Sequence, residues 1–290
     1  MADYVDRYWT SSDGLRLYAR SYAAAPGPFR LPVVCIHGLT RNSADFEALA
    51  PRLAQGGRRV IAIDVRGRGR SERARDPMTY QPAMYAADVA ALFDQAGLER
   101  AIFIGTSMGG LITMTLAATH ADLIAGTVLN DVGPELDPRG LARVAAYAGE
   151  PSDAADWDAA AAFARKINGV AFPHYTDADW LSFARRIYRD KPGGGLELAY
   201  DPDIAVPIRV AGQAALVPDL WPFFEGLAEA APMLLVRGAT SDLLSAEIAD
   251  RMQARAPSMR RVDVPGVGHA PMLDEPEAVG AIERFLGELP

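Results

Sequence analysis

The sequence predicts an α/β protein with a doubly wound, mostly parallel eight-stranded sheet and a helical insert after the sixth strand. Three observations support this fold class. Short apolar segments rich in β-branched residues alternate with segments of helical spacing, which is typical of right-handed β-α-β crossovers. Residues 134–216 interrupt the alternation with an alanine-rich stretch that has no convincing buried strand. Glycine-containing loops with polar side chains follow several of the apolar segments.

Eight segments have the composition of strands. The first two surround a Ser-Asp-Gly turn signal at residues 12–14 and predict a β-hairpin. The other six are apolar runs, as expected for strands that helices cover on both faces of a sheet. The predicted strands are residues 5–10, 15–22, 32–36, 59–64, 101–104, 124–130, 233–236 and 261–264.

Segments of helical spacing follow most of these strands, and glycines end the first two of them. Outside the insert they cover residues 46–54, 85–95, a run after residue 109, a segment from residue 219, and residues 246–256 and 275–286. The insert has three more, at residues 141–147, 157–167 and 177–188. We therefore expect a core domain of residues 1–133 and 217–290 with a helical insert of residues 134–216.

Composition limits the function classes. The chain has 290 residues, of which half are hydrophobic and 23% are charged, so we expect a sizeable core. A net charge of -8 argues against a nucleic-acid partner. No apolar run approaches the ~18 residues that span a bilayer, and residues 1–7 lack the features of a signal peptide, so we expect a cytoplasmic protein. The single cysteine excludes an internal disulfide. The oligomeric state stays open between monomer and homodimer.

Residues 105–109 (Gly-Thr-Ser-Met-Gly) fit the G-x-S-x-G pattern between a buried strand and a helix. A serine on such a sharp turn projects its hydroxyl, and the flanking glycines let strand and helix approach each other. The free backbone N–H groups at the start of the helix point toward the place where an oxyanion would form. The pattern therefore predicts Ser107 as a catalytic nucleophile.

A serine nucleophile needs a base and an acid, and such groups gather beyond the carboxyl ends of parallel strands. His269 lies in a glycine-containing loop after the last strand, and histidine is suited to proton transfer near neutral pH. Asp242 follows the preceding strand and is predicted to orient the imidazole, because the order Ser107, Asp242, His269 matches this topology. Asp131, directly after the sixth strand, is the alternative acid by the same placement rule.

Two backbone N–H groups are predicted to bind the oxyanion, those of Met108 after the nucleophile and of Leu39 after the third strand. Arg41 lies close to that loop and is a candidate partner for a substrate carboxylate. Aromatic residues of the insert, Trp180 and Phe183 among them, are candidates either for a substrate-binding wall or for packing within the core or the insert. The chemistry requires no metal or organic cofactor, and no His/Cys cluster has the spacing of a metal site.

The chain resembles the α/β-hydrolase fold superfamily in a combination of motifs at residues 37–38, 64–71, 105–110, 242 and 268–269. The resemblance covers nearly the whole chain except the insert. It is closest to bacterial esterases and lactonases, such as 3-oxoadipate enol-lactonases, and to the carbon–carbon hydrolases of aromatic meta-cleavage pathways. The resemblance implies that residues 134–216 form a helical cap (lid) over the active site. Meta-cleavage hydrolases usually carry tryptophan after the catalytic histidine, whereas this chain has Ala270.

We therefore expect a serine hydrolase that cleaves a carboxylic ester or lactone of a small to mid-sized substrate, apolar or aromatic-derived, through an acyl-enzyme. One alternative is a carbon–carbon hydrolase that acts on a vinylogous diketone of the meta-cleavage type. Another is a non-catalytic ligand receptor on the same fold, since a fold does not fix a function. The expected partner is a small-molecule substrate, with no nucleic acid and no membrane.

Overall fold

An eight-stranded sheet forms the centre of the computed structural model, which describes residues 4–150, 152–211 and 219–290. Its strands are β1 (Val5–Thr10), β2 (Arg16–Tyr22), β3 (Val33–Ile36), β4 (Val60–Asp64), β5 (Ala101–Thr106), β6 (Ile124–Asn130), β9 (Met233–Gly238) and β10 (Arg260–Val264). They lie in the order β1-β2-β4-β3-β5-β6-β9-β10. Only the β1–β2 and β2–β4 pairs are antiparallel. The predicted fold class is confirmed.

Helices cover both faces of the sheet. Those outside the segment between β6 and β9 are α1 (Leu49–Gln55), α2 (Pro82–Ala96), α3 (Met108–His120), α8 (Trp221–Ala230), α9 (Ala246–Arg255) and α10 (Pro276–Gly287). Side chains alternate between the faces along each strand, so Val34 packs in the cluster with α2, α3 and α8 while Cys35 packs with α1 and α10. This burial from both sides explains why the inner strands are apolar throughout.

The segment between β6 and β9 is not wholly helical. It contains α4 (Pro138–Tyr147), α5 (Trp157–Asn168), α6 (Asp177–Ile187) and α7 (Val206–Ala211), and also a two-stranded antiparallel sheet of β7 (Tyr188–Asp190) and β8 (Leu196–Leu198). Strands of three residues are too short to show an alternating pattern in sequence. The expected end of the insert at residues 216/217 lies outside the described residues, and the division into two domains stays a prediction.

The insert contacts the core at the carboxyl ends of the parallel strands. A β-bridge joins Arg68 of the loop after β4 to Tyr200, and the N–H of Gly268 donates to the carbonyl of Ala171 over 2.8 Å. The loops that follow β4 and β10 therefore contact residues of the insert. Functional groups of open parallel sheets gather at these ends of the strands.

Candidate active site

Ser107 occupies the turn between β5 and α3 in a conformation that few residues adopt. Its φ of 50° and ψ of -112° place it in a strained region of backbone space. A Cβ atom on Gly105 would lie 2.5 Å from the backbone carbon of Gly109, and one on Gly109 would overlap the carbonyl oxygen of Ile36. The two glycines therefore permit the close strand–helix crossing that exposes the Ser107 hydroxyl.

His269 lies within hydrogen-bond distance of this hydroxyl. Its Nε2 atom is 2.9 Å from Oγ of Ser107, and its side chain is largely buried. The imidazole is carried by the loop after β10, whose Gly268 packs closely against Ala171 of the insert. The structure thus brings together the two residues that the sequence predicts as nucleophile and base.

The carboxylate that faces His269 belongs to Asp131. Its Oδ2 atom lies 2.8 Å from Nδ1 of His269, and the Asp131 side chain is fully buried directly after β6. Oδ1 accepts the N–H of Gly238 over 2.8 Å, and Oδ2 also accepts the hydroxyl of Ser241 over 2.6 Å. Three donors therefore fix the orientation of this carboxylate, which in turn fixes the imidazole.

Asp242 does not occupy the position that chain order predicts for it. Its carboxylate accepts two hydrogen bonds from Arg143 of α4, at 2.6 and 2.8 Å, and these hold the pKa of Asp242 below its usual range. Gly238 at the end of β9 and Ser241 in the loop that follows both donate to Asp131, whereas the side chain of Asp242 is turned toward the insert. The expectation that Asp242 orients His269 is therefore wrong, and the alternative, Asp131, makes that contact.

His37 fixes the loop that carries Leu39. Its Nε2 atom accepts the N–H of Val65 over 3.0 Å, so the proton is on Nδ1, which donates to the carbonyl of Gly38 over 2.7 Å. Burial lowers the pKa of His37 to about 4, so the ring is neutral at pH 7. In a trans peptide the N–H points opposite to the C=O, and the N–H of Leu39 is therefore turned away from His37.

The predicted oxyanion donors lie beside Ser107. Leu39 lines the same cavity as Ser107, and Met108 is the first residue of α3. Within the described residues, neither N–H has a protein acceptor. Free N–H groups at this position are suited to bind a negatively charged oxygen.

A small cavity of about 60 Å³ opens at Ser107 and His269. Its walls come from the loops after β3, β5 and β10 on one side and from the insert on the other. The insert supplies Val144, Tyr147, Asn168 and Phe172. Besides Ser107 and His269, the core supplies Gly38, Leu39, Thr40, Arg41, Asp45, Phe46, Thr106, Ala270, Pro271, Met272 and Leu273.

The three candidate substrate-binding residues are placed differently from one another. Arg41 lines the cavity, but its guanidinium forms a two-pronged ion pair with Asp45, with the shortest distance 2.6 Å. It also lies 3.9 Å over the ring of Phe183. Phe183 and Trp180 are buried in an aromatic cluster with Phe172 and do not line the cavity, so the structure places these two behind its wall.

Across residues 4–150, 152–211 and 219–290, no group of three His, Cys, Asp or Glu side chains is arranged to hold a metal ion. In the same ranges, no helix has the length and apolar character needed to cross a membrane.

Comparison with known proteins identifies the family of the chain. Residues 32–276 match the family model of the alpha/beta hydrolase fold. The chain is 39% identical to a 3-hydroxybutyrate-oligomer hydrolase of Cupriavidus necator over 263 residues, 87% of each protein. It is 32% identical to a 2-(acetamidomethylene)succinate hydrolase of Mesorhizobium japonicum over 254 residues, 86% of each. An alpha/beta hydrolase from Novosphingobium aromaticivorans superposes with a TM-score of 0.91 at 48% identity, covering 99% of both chains. The chain therefore belongs to the α/β-hydrolase fold family and is a hydrolase.

Proposed function

We propose that the chain hydrolyses carboxylic esters through an acyl-enzyme on Ser107, with His269 as base and Asp131 as acid. The observation that carries the proposal is the unbroken path from Oγ of Ser107 to Nε2 of His269 (2.9 Å) and from Nδ1 to Oδ2 of Asp131 (2.8 Å). Serine, histidine and aspartate in this arrangement form the catalytic triad of acyl-transfer enzymes.

Each residue has a defined task in the reaction. His269 accepts the proton of Ser107 through Nε2 as Oγ attacks the carbonyl carbon, and Asp131 stabilises the imidazolium through Nδ1–H. The N–H groups of Leu39 and Met108 hold the oxyanion of the tetrahedral intermediate. His269 then protonates the departing alcohol, and the same residue activates the water that hydrolyses the acyl-enzyme.

The cavity favours a short acyl group. Its volume of about 60 Å³ is small, so a long acyl chain would enter only if the walls moved. Thr40, Tyr147 and Asn168 add polar groups to it, and the Arg41–Asp45 pair adds donors and acceptors. Oligomers of 3-hydroxybutyrate, which the relative from Cupriavidus necator is named for, are esters of short, hydroxylated acyl units. We therefore assign short hydroxyacyl esters, including lactones, as the substrate class, in place of the mid-sized apolar group that the aromatic residues of the insert suggest.

Hydrolysis of p-nitrophenyl esters from C2 to C12 tests the proposal, with Ser107→Ala as control. We expect turnover of the short esters, a steep decline beyond about C6, and loss of turnover in Ser107→Ala. A dimer of 3-hydroxybutyrate, with product acid followed by titration, tests the assigned substrate class. Activity on a vinylogous 1,5-diketone with none on any ester would favour the carbon–carbon hydrolase instead.

A further inference from the structure

Three arginines of the loop after β4 differ in how their charges are balanced. Arg66 pairs with Asp13 (2.9 Å) and Asp88 (2.6 Å), and Arg70 pairs with Asp6 (2.8 Å). Arg68 is only 1% exposed, yet among the described residues no carboxylate lies within 4.0 Å of its guanidinium. The middle arginine is therefore a buried cation without an ion-pair partner in that part of the chain.

The guanidinium of Arg68 contacts both residues that supply the proposed oxyanion donors. Its Nε–H donates to the carbonyl of Leu39 over 3.0 Å, and Nη2 lies 3.6 Å from the sulfur of Met108. Nη1 donates to the carbonyl of Arg66 (2.8 Å) and to the hydroxyl of Tyr85 (2.9 Å). One rigid fork thus connects the loop after β3 with the first residue of α3.

A buried charge of this kind is costly unless the surroundings compensate for it. The hydrogen bonds to carbonyls and the rings of Tyr80 and Tyr85, 5.4 and 5.1 Å away, compensate in part. A negative charge that develops on a substrate oxygen next to Leu39 and Met108 would supply the missing counter-charge for the Arg68 guanidinium. Electrostatic interactions are stronger in such a dry site than in water, and a fixed donor needs no reorganisation during the reaction.

We propose that Arg68 is a positioning residue of the oxyanion site: it holds Leu39 and Met108 in place and supplies a fixed positive charge beside these two residues. This inference rests on the proposed serine-hydrolase function. It predicts that Arg68→Met, which keeps the apolar volume and removes the charge, lowers kcat about 10- to 100-fold with KM changed less than about threefold, because the interaction strengthens only in the transition state.

The rate at which a fluorescent alkylphosphonofluoridate labels Ser107 tests the assignment without knowledge of the natural substrate, since that reaction also places negative charge in the oxyanion site. Arg58 provides a matched control. It is likewise buried, at 2% exposure, and donates to the carbonyls of Leu31, Leu286, Leu289 and Pro290. It directly precedes β4 and so lies at the amino-terminal ends of the parallel strands, whereas Ser107 lies at their carboxyl-terminal ends.

We expect Ser107 to be labelled about tenfold or more slower in Arg68→Met than in wild type. Arg68→Lys should be labelled at an intermediate rate, because it keeps the charge but loses the planar set of guanidinium donors. Arg58→Met should be labelled within about twofold of the wild-type rate. Equal labelling of Arg68→Met and wild type, or equal slowing in Arg58→Met, would overturn the assignment. If Arg68→Met does not fold, Arg68→Lys decides: wild-type labelling in that variant would show that the fork is not needed and would overturn the positioning role. A wild-type enzyme that is not labelled at all would overturn the proposed function itself, and the assignment with it.

Discussion

Oδ2 of Asp131 lies 2.8 Å from Nδ1 of His269, although 138 residues separate the two in the chain. Asp131 has a φ of 55°, a left-handed conformation that aspartate and asparagine tolerate better than most residues. This turn directs the side chain from the end of β6 toward the loop after β10. The proposed acid therefore directly follows β6, the strand next to the one that leads into Ser107.

Replacing Asp131 by asparagine should reduce kcat about 10³- to 10⁴-fold, because the amide no longer holds the imidazole in the productive tautomer. Asparagine keeps the volume and tolerates the same φ, so the fold is expected to survive. Asp242→Asn is the matched control and should retain ester hydrolysis within about fivefold, since Asp242 bonds to Arg143. Greater loss in Asp242→Asn than in Asp131→Asn would return the acid role to Asp242.

The sequence predicts roles for Ser107 and His269 because each has a strong local signature, a G-x-S-x-G turn and a glycine-containing loop after a strand. The choice between Asp131 and Asp242 has no local signature. Both residues follow the carboxyl ends of parallel strands. Chain order favours Asp242, which does not contact His269 in the structure. The decisive partners are Arg143, 99 residues away from Asp242, and Ser241, 110 residues away from Asp131, and such long-range pairs cannot be read from spacing.

The ion pair between Arg143 and Asp242 joins α4 of the insert to the loop after β9. Their side chains are 21% and 29% exposed, so solvent screens much of the attraction. A double-mutant cycle with Arg143→Met and Asp242→Asn, followed by urea unfolding, should give a coupling energy of about 0.5–1 kcal/mol. A coupling well above about 2 kcal/mol would mean that the pair behaves as a buried one.

His37 should make stability depend on pH. Its folded-state pKa of about 4 lies below the ordinary 6.5 because burial disfavours the charged ring. Between these values the unfolded chain binds a proton that the folded chain does not, so the free energy of unfolding falls as pH falls from 6.5 to about 4. The loss attributable to this residue is about 3 kcal/mol, complete near the lower value.

Urea unfolding between pH 7 and pH 4 checks this expectation against His37→Asn, which cannot titrate and retains a donor near the Gly38 carbonyl. The variant should be less stable than wild type at pH 7, and the difference should shrink as pH falls. Subtracting the two profiles removes the contribution of the buried carboxyls, which is common to both. Parallel profiles would contradict the neutral, buried state of His37.

The predicted core strands and the helices outside the insert agree with the structure because burial on both faces of a parallel sheet leaves long apolar runs in the sequence. The insert is less predictable. Its β7 and β8 are joined by a turn that contains Gly193, Gly194 and Gly195, all with positive φ, and strands of three residues on either side are too short to predict from the sequence. The position of Trp180 and Phe183 relative to the cavity is unpredictable for a related reason. Helical spacing places both residues on one face of α6, but it does not show whether that face lines the cavity or packs against other aromatic rings.

Gly109→Ala should abolish activity and destabilise the fold by more than about 3 kcal/mol, since the added methyl group overlaps the carbonyl oxygen of Ile36 in the central strand β3. The backbone at Gly109 can avoid this overlap only if α3 moves away from β3. The turn that holds Ser107 would then move together with α3. Gly226→Ala is the matched control: it lies within α8, nothing lies within 4 Å of the added Cβ, and it should stabilise by about 0.5–1 kcal/mol through helix propensity. Thermal unfolding and ester hydrolysis of both variants measure the contrast. An active, stable Gly109→Ala enzyme would contradict the close contact between the nucleophile turn and β3.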